Sequence, residues 1–135
     1  RRLALDLGGA SSERCGPSPA RPDQVIGSGG PTPSGRLDPV APRLLEAGLS
    51  CRIGKGVRSQ AVQDAMARNG AVYRVAIGGA GAAKAASIKN VEVIAYDELG
   101  CESVKRLTVE NFSAIVSQDC VGGNLYTEGV AKYKE

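Results

Sequence analysis

Short apolar runs alternate with helical patterns through the middle of this chain. Runs at residues 51–53, 71–77 and 91–95 are rich in branched and apolar side chains, which is typical of strands. The segment between the first two runs has one apolar helical face, formed by Val62, Ala65 and Met66. An Ala-rich segment at 82–88 predicts a second, shorter helix. Because strands joined by helices usually pair in parallel, the pattern predicts an α/β fold.

Cap residues suggest where these helices begin and end. Asp38 followed by Pro39 predicts a helix start, with a capping carboxylate and a proline in the first turn. Gly48 predicts the end of that helix. Ser59 is placed to cap the next helix and Gly70 to end it.

The two ends of the chain follow a different pattern. Residues 8–23 are rich in Gly, Ser and Pro and predict a loop, and Val25-Ile26 predicts a short strand. Beyond the last helical pattern, residues 104–109 and 113–116 predict strands, and Leu125-Tyr126 predicts a final short one.

Composition narrows the class of protein. A chain of 135 residues with 42% apolar residues can form one compact domain with a buried core. The net charge is only +3 and no run of basic residues occurs, so nucleic-acid binding is disfavoured. No apolar run approaches the ~20 residues of a membrane span, and no signal peptide is visible. We therefore expect a cytoplasmic protein with no membrane contact.

The cysteines do not form a recognisable metal motif. They are widely separated, no C-x-x-C pair occurs, and the chain contains no histidine. Ordinary reduced thiols are the favoured interpretation of Cys15, Cys51, Cys101 and Cys120. We expect no metal ion to be bound by this chain itself.

Two glycine-rich loops carry cationic side chains suited to an anion. The first, residues 29–36, contains Thr32, Ser34 and Arg36, and the second is Gly54-Lys55-Gly56. Glycines let a ligand approach backbone N–H groups, and an arginine fork matches a carboxylate. Each loop, taken alone, is equally well explained as a structural turn. The second loop also lacks the Ser or Thr that a phosphate-binding loop has after its lysine.

A third loop, residues 78–83, imitates a dinucleotide fingerprint. It follows a predicted strand, opens a predicted helix, and has Asp97 downstream at a distance suited to a ribose. However, Lys84 occupies the position where a small residue normally packs. A nucleotide-binding domain and simple close packing of the helix are both compatible with these glycines.

Taken together and in order, the loops resemble those of one family. The runs GSGGPTPSGRLDPVAPRLLEAGL, IGKGVRSQAVQDAM and GAVYRVAIGGAGAAKAASIKNVEVIAYDELG resemble the beta domain of class I fumarases and L-tartrate dehydratases. The resemblance continues through KRLTVENFSAIV and GGNLYTEG, so it spans roughly residues 16–130. It implies a swivelling β/β/α domain over residues 24–135, preceded by a partial, loop-rich and truncated N-terminal segment over residues 1–23.

The resemblance also implies what the domain does. It points to a hydro-lyase that reversibly dehydrates a 2-hydroxy dicarboxylate, either malate to fumarate or tartrate to oxaloacetate. The implied partner is an alpha subunit or domain carrying an oxygen-sensitive [4Fe-4S] cluster, within a hetero- or homo-oligomer. In the family the cluster cysteines belong to that partner, and the cysteines of this chain match none of them.

Site residues can be carried over from the family's GPTTSGR-like and KG motifs. Thr32 resembles the proposed catalytic base, Arg36 a clamp for a substrate carboxylate, and Lys55 a second carboxylate contact. The implied substrate-binding residues are Arg36, Lys55, Gly35, Gly54 and Gly56.

Two positions depart from the family pattern. Pro33 replaces a threonine that is common in the first motif, and Arg52 stands where the family usually has an apolar residue. Pro33, together with the N-terminal segment of the family that we expect to be missing here, leaves a second hypothesis open, in which the domain is a non-catalytic binding or assembly module of the same fold.

Overall fold

The computed structural model describes residues 5–134, which divide into two compact units. The first unit comprises residues 5–6, 15–32 and 77–113, and the second comprises residues 7–14, 33–76 and 114–134. The α-helices are α1 Ala41–Glu46, α2 Gln60–Asn69, α3 Gly81–Ser87 and α4 Leu125–Tyr133. The β-strands are β1 Ser11–Glu13, β2 Cys51–Gly54, β3 Val72–Val75, β4 Ile88–Ala95, β5 Val104–Val109 and β6 Ile115–Gln118. None of the helices in the described part of the chain has the length and apolar character needed to cross a membrane.

The second unit is built on a four-stranded sheet with strand order β1-β2-β3-β6. The first three strands are parallel, and β6 runs antiparallel to β3. The predicted α/β fold class is therefore confirmed, including the parallel pairing across the α2 connection. In this register Arg52 lies directly opposite Tyr73, so both side chains lie on the same face of the sheet.

Helices α1 and α2 pack against each other and bury the core of the second unit. The predicted apolar face of α2 is confirmed, and Gly70 ends the helix with the left-handed backbone (φ 63°) that favours glycine. One cluster of buried residues in this core comprises Ala41, Leu45, Val62, Ala65, Met66, Ala71 and Tyr73. Tyr73 carries a polar hydroxyl into this otherwise apolar cluster, so the hydroxyl needs a buried partner.

The first unit is organised around an antiparallel ribbon of β4 and β5. The 3-10 helix Asp97–Glu102 connects these two strands, and α3 precedes the ribbon. Gly81 begins α3 in close contact with the loop of residues 28–30. A Cβ added there would lie 2.7 Å from Ser28 Oγ and 3.3 Å from the Gly30 nitrogen.

The predicted helix start at Asp38 is wrong. Helix α1 begins three residues later at Ala41, with Val40 as its N-cap. The preceding residues Ser34–Leu37 form one turn of 3-10 helix instead. The reason is that the Asp38 carboxylate is engaged elsewhere, by the side chain of Arg58 and the backbone N–H of Ser59.

Three other predicted elements also differ from the structure. Val25-Ile26 is not a strand, because neither residue pairs with a neighbouring strand and Val25 is exposed. The predicted loop of residues 8–23 contains β1, which pairs with β2. The sequence of β1 is polar and gives no strand pattern, so this strand was not predicted. Leu125-Tyr126 begins α4 rather than a strand, since Asn124 caps that helix through its side-chain oxygen.

A tight contact joins the segment after Pro33 to the middle of the sheet. Ser34 is 2% exposed, and its Oγ lies 3.0 Å from the Tyr73 hydroxyl in a buried hydrogen bond. Gly54, on β2, leaves the space that Ser34 occupies. A Cβ added at Gly54 would overlap Ser34 Oγ and would lie 3.2 Å from Tyr73 Oη. The absence of a side chain at Gly54 therefore sets how closely this segment approaches the sheet.

We predict that Gly54→Ala destabilises the protein by about 1–3 kcal/mol, because the new methyl group must push Ser34 away from the sheet. Urea denaturation followed by circular dichroism measures the change. Gly78→Ala is the matched control, since a Cβ at Gly78 meets nothing within 4 Å. Equal stabilities of the two variants would contradict the packing role of Gly54.

We predict that Tyr73→Phe lowers the free energy of unfolding by about 1 kcal/mol at pH 8, through loss of the Ser34 hydrogen bond. Burial raises the pKa of Tyr73 above 10.0, with the Ser34 hydrogen bond opposing the shift. Just above pH 10 the folded state therefore keeps the hydroxyl proton of Tyr73, whereas the unfolded state loses it. Consequently the advantage of tyrosine over phenylalanine should be full below pH 10 and shrink as pH rises above it. Urea titrations of both proteins at pH 8 and pH 11 measure the difference between their free energies of unfolding. A difference that stays the same at the two pH values would contradict this explanation.

Candidate functional site

Backbone pairing brings the first two glycine-rich loops together at the end of β2. Pro33 forms a parallel bridge with Lys55, and the Ser34 N–H donates to the Lys55 carbonyl oxygen at 3.1 Å. The contact of Ser34 with Gly54 lies directly beside this bridge. The loop that carries Arg36 and the loop that carries Lys55 are thus neighbours within the second unit. This edge, at the carboxyl end of a parallel strand, is where α/β sheets commonly bind ligands.

Both predicted cations on these loops are available to a ligand. Arg36 and Lys55 are exposed. Among residues 5–134, neither side chain has a hydrogen-bond or ion-pair partner. Two unpaired cations on adjacent, backbone-anchored loops form a surface suited to a small anion with two acidic groups.

The three predicted glycines of the site have different roles. Gly54 allows the close approach of Ser34 described above. Gly56 follows Lys55 and has φ 83°, a backbone conformation that residues with a side chain rarely adopt. Gly56 therefore fixes the turn that presents the lysine. Gly35 lies in the 3-10 turn between Ser34 and Arg36, and an added Cβ there would meet nothing within 4 Å. Contact of any of the three with substrate stays a prediction.

Thr32 is the last residue of its segment in the first unit, whereas Arg36 and Lys55 belong to the second. The preceding residue, Pro31, forms a bridge with Cys15 within that first unit. Thr32 itself is half-buried. Its convergence with the two cations and its action as a catalytic base stay predictions.

An ion pair anchors the far end of the Arg36 segment. Asp38 Oδ1 accepts from Arg58 Nε at 2.7 Å and is also ion-paired with Arg58 Nη2, while Asp38 Oδ2 accepts from the Ser59 N–H at 2.7 Å. The Arg58 side chain is fully buried and its guanidinium lies 5.2 Å from the centre of the Tyr73 ring. The segment from Ser34 to Asp38 is therefore held at both ends, with Arg36 exposed between them.

A second buried arginine lies beside this ion pair. Arg52 is 1% exposed, and its Nε and Nη1 have no hydrogen-bond partner among the described residues. Burial, and after it the neighbouring positive charge of Arg58, lower the pKa of Arg52 to about 10, while Asp38 and Tyr73 act in the opposite direction. The group remains charged at neutral pH. A buried charge without a partner is costly, so its presence calls for an explanation.

Packing accounts for one glycine of the third glycine-rich loop, Gly81. Gly81 allows α3 to start against residues 28–30, as described above. Lys84, the residue that departs from the dinucleotide pattern, is buried and its ammonium lies 5.5 Å from the centre of the Phe112 ring. Of the two interpretations that the sequence leaves open, these contacts favour close packing over a nucleotide site.

The described residues give no support for a metal site on this chain. Within residues 5–134, no three side chains among His, Cys, Asp and Glu come close enough to hold a metal ion. Cys51, Cys101 and Cys120 are free thiols. We therefore assign no step of any reaction to a metal held by these residues.

The supporting residues of the site were not predicted. The sequence singled out Thr32, Arg36 and Lys55 for the site. It named Ser34 only as a loop residue and Asp38 only as a helix cap, and it did not predict that these two contact Tyr73 and Arg58. One signal was present, namely Arg52 at an interior position of a strand that otherwise reads as apolar. A charged residue at such a position indicates a buried polar group in the same layer.

Comparison with known proteins agrees with the resemblance of the motifs. A sequence model of the family described as fumarase C-terminus matches residues 5–129. The anaerobic class I fumarate hydratase of Escherichia coli (strain K12) is 39% identical over 119 residues, which cover 87% of this chain and 22% of that protein. Fumarate hydratase 2 of Leishmania major is 37% identical over 118 residues, covering 86% of this chain and 21% of that protein.

A shorter relative matches along more of its own length. The putative L(+)-tartrate dehydratase subunit beta of Methanocaldococcus jannaschii is 33% identical over 133 residues, covering 94% of this chain and 68% of that protein. This chain thus spans about a fifth of the length of the fumarate hydratases that it matches, and about two thirds of the tartrate dehydratase subunit. With nearly its whole length matched, the chain belongs to the fumarase C-terminal domain family.

Proposed function

We propose that this chain is the beta-type domain of a hydro-lyase and binds the carboxylates of a 2-hydroxy dicarboxylate. The reaction is reversible dehydration, either of malate to fumarate or of tartrate to oxaloacetate. The observation that carries the proposal is the backbone pairing of the Arg36 and Lys55 loops, each of which presents an unpaired cation. Relatives named as fumarate hydratases and as a tartrate dehydratase subunit support the same class of reaction.

The chemistry explains why two fixed cations are useful. Dehydration removes a proton from the carbon next to one carboxylate, and hydroxide leaves from the adjacent carbon. Negative charge spreads onto that carboxylate as the proton departs. Cations held in place beforehand stabilise this charge without any reorganisation during the reaction. Arg36 can bind one carboxylate through two parallel N–H groups, and Lys55 adds a compact charge to the pair.

The proton acceptor in the proposal is Thr32, on the strength of the GPTTSGR-like motif. A threonine hydroxyl is a weak base unless a neighbouring group activates it. The binding role of Arg36 and Lys55 does not depend on that assignment, because carboxylate recognition needs only their charge and position.

We further propose that the domain acts with an alpha-type partner that carries the [4Fe-4S] cluster. The homology to a protein named as a beta subunit supports an alpha partner, and the cluster is proposed from the resemblance of the motifs. This chain then contributes half of a shared site, and alone it has no hydro-lyase activity. An assembled hetero- or homo-oligomer follows from the same proposal.

We predict that Arg36→Ala lowers kcat/KM by about 10²–10³-fold in the assembled enzyme, through loss of one preorganised cation at the carboxylate. The measurement is turnover of malate and of tartrate after anaerobic assembly with an alpha subunit of the family. Arg43→Ala is the matched control, because it removes an equal charge from the exposed surface of α1. Activity of Arg36→Ala within about twofold of the unsubstituted protein would contradict the site assignment.

The same assembly separates the second hypothesis from the first. A stable complex that turns over neither substrate would favour the non-catalytic binding or assembly module. The substitution that motivates this hypothesis is Pro33, which forms the bridge to Lys55 through a backbone without an N–H. Replacing Pro33 by threonine restores the family motif, and recovered turnover in that variant would assign the loss to proline.

A further inference from the structure

The buried polar group beneath the Arg36 segment carries more positive than negative charge. The charged groups that act on Arg52 are Arg58 and Asp38, and Tyr73 is neutral at pH 7. Two guanidinium groups and one carboxylate leave one net positive charge. All three side chains belong to the second unit, and Arg52 and Arg58 are both buried.

Asp38 cannot balance both arginines. One of its oxygens is engaged twice by Arg58 and the other accepts from the Ser59 N–H. Arg52 instead leaves Nε and Nη1 without a hydrogen-bond partner among residues 5–134. A guanidinium that only supported the fold would normally be paired when buried this deeply. Arg58 Nη1 and the side-chain amide of Gln118 also lack partners among these residues, so it is the excess positive charge, rather than the missing hydrogen bonds alone, that points to an action on a bound group.

The geometry links that charge to the proposed substrate loop. Arg52 lies opposite Tyr73 on the same sheet face, Tyr73 is hydrogen-bonded to Ser34, and Asp38 is bound to Arg58. Ser34 and Asp38 stand two residues before and two residues after Arg36. A charge in this interior is screened less by water and salt than a surface charge, so its field acts more strongly on the neighbouring loop.

We propose that Arg52 is a positioning residue of the dicarboxylate site, whose buried and unpaired charge strengthens the binding of an anion at the loop that carries Arg36. This inference rests on the proposed function. The anion offsets the excess positive charge, so binding and folding are coupled. In the absence of an anion, Arg52 makes the fold less stable than an apolar residue would, and in return the site binds a dianion more tightly.

The test is calorimetric titration of L-malate into the 135-residue chain and into Arg52→Met, with thermal unfolding of both chains without ligand. Methionine keeps an unbranched, flexible side chain and removes the charge. Arg74→Met is the matched control, because Arg74 lies next to Tyr73 on β3 and is exposed.

We expect Arg52→Met to bind L-malate about tenfold more weakly, the effect of one unit charge ~10 Å away at an effective dielectric of ~20. We also expect it to unfold a few degrees higher than the unsubstituted chain, since an unpaired buried charge has been removed. Arg74→Met should match the unsubstituted chain in affinity.

Three outcomes would overturn the inference, and they are distinguishable. If Arg52→Met and the unsubstituted chain bind malate with equal affinity, Arg52 has no role in anion binding, and the proposed function is unaffected. A lower unfolding temperature for Arg52→Met shows that Arg52 is a structural residue whose loss damages the fold. No detectable binding of malate or tartrate by the unsubstituted chain at millimolar concentration removes both the inference and the binding half of the proposed function.

Discussion

The contact of Ser34 with Gly54 and Tyr73 is the constraint on which the candidate site depends. It brings the backbone of residues 33–34 against the end of β2, where the hydrogen bond to Lys55 forms. Together with the Asp38–Arg58 ion pair at the other end of the segment, it fixes the loop that carries Arg36 beside the loop that carries Lys55. A glycine in a strand and a hydroxyl group on a core aromatic ring thus determine the placement of two exposed cations. The exposed side chains of Arg36 and Lys55 take no part in this packing.

The same segment illustrates the balance between stability and binding. A core made only of apolar side chains would be simpler to stabilise than one that contains Arg52, Arg58 and Asp38. The Asp38 carboxylate accepts hydrogen bonds from Arg58 Nε and from the Ser59 N–H, and these contacts fix the end of the segment. Arg52 Nε and Nη1 have no hydrogen-bond partner among the described residues. Proteins commonly keep unfavourable groups of this kind where a ligand is bound.

The sequence predicted those features that local patterns determine. Strand β2, the buried face of α2 and the glycine at the end of α2 follow from the spacing of apolar and turn residues within about ten positions. The role of Asp38 could not be predicted in this way. A carboxylate before a proline has the same local pattern whether it caps its own helix or binds Arg58, twenty residues further along the chain. Likewise, Ser34 and Tyr73 are 39 residues apart, and only the assembled sheet brings them together.

The central claim is that the two loops form one anion site, and backbone amide chemical shifts during a titration with L-malate test it most directly. The account predicts that the amides of Ser34–Leu37 and of Lys55 and Gly56 shift together with a single dissociation constant. The amides of α4, whose cap is formed by Asn124, should stay unchanged. Shifts confined to one loop, or centred on residues away from both loops, would contradict the account.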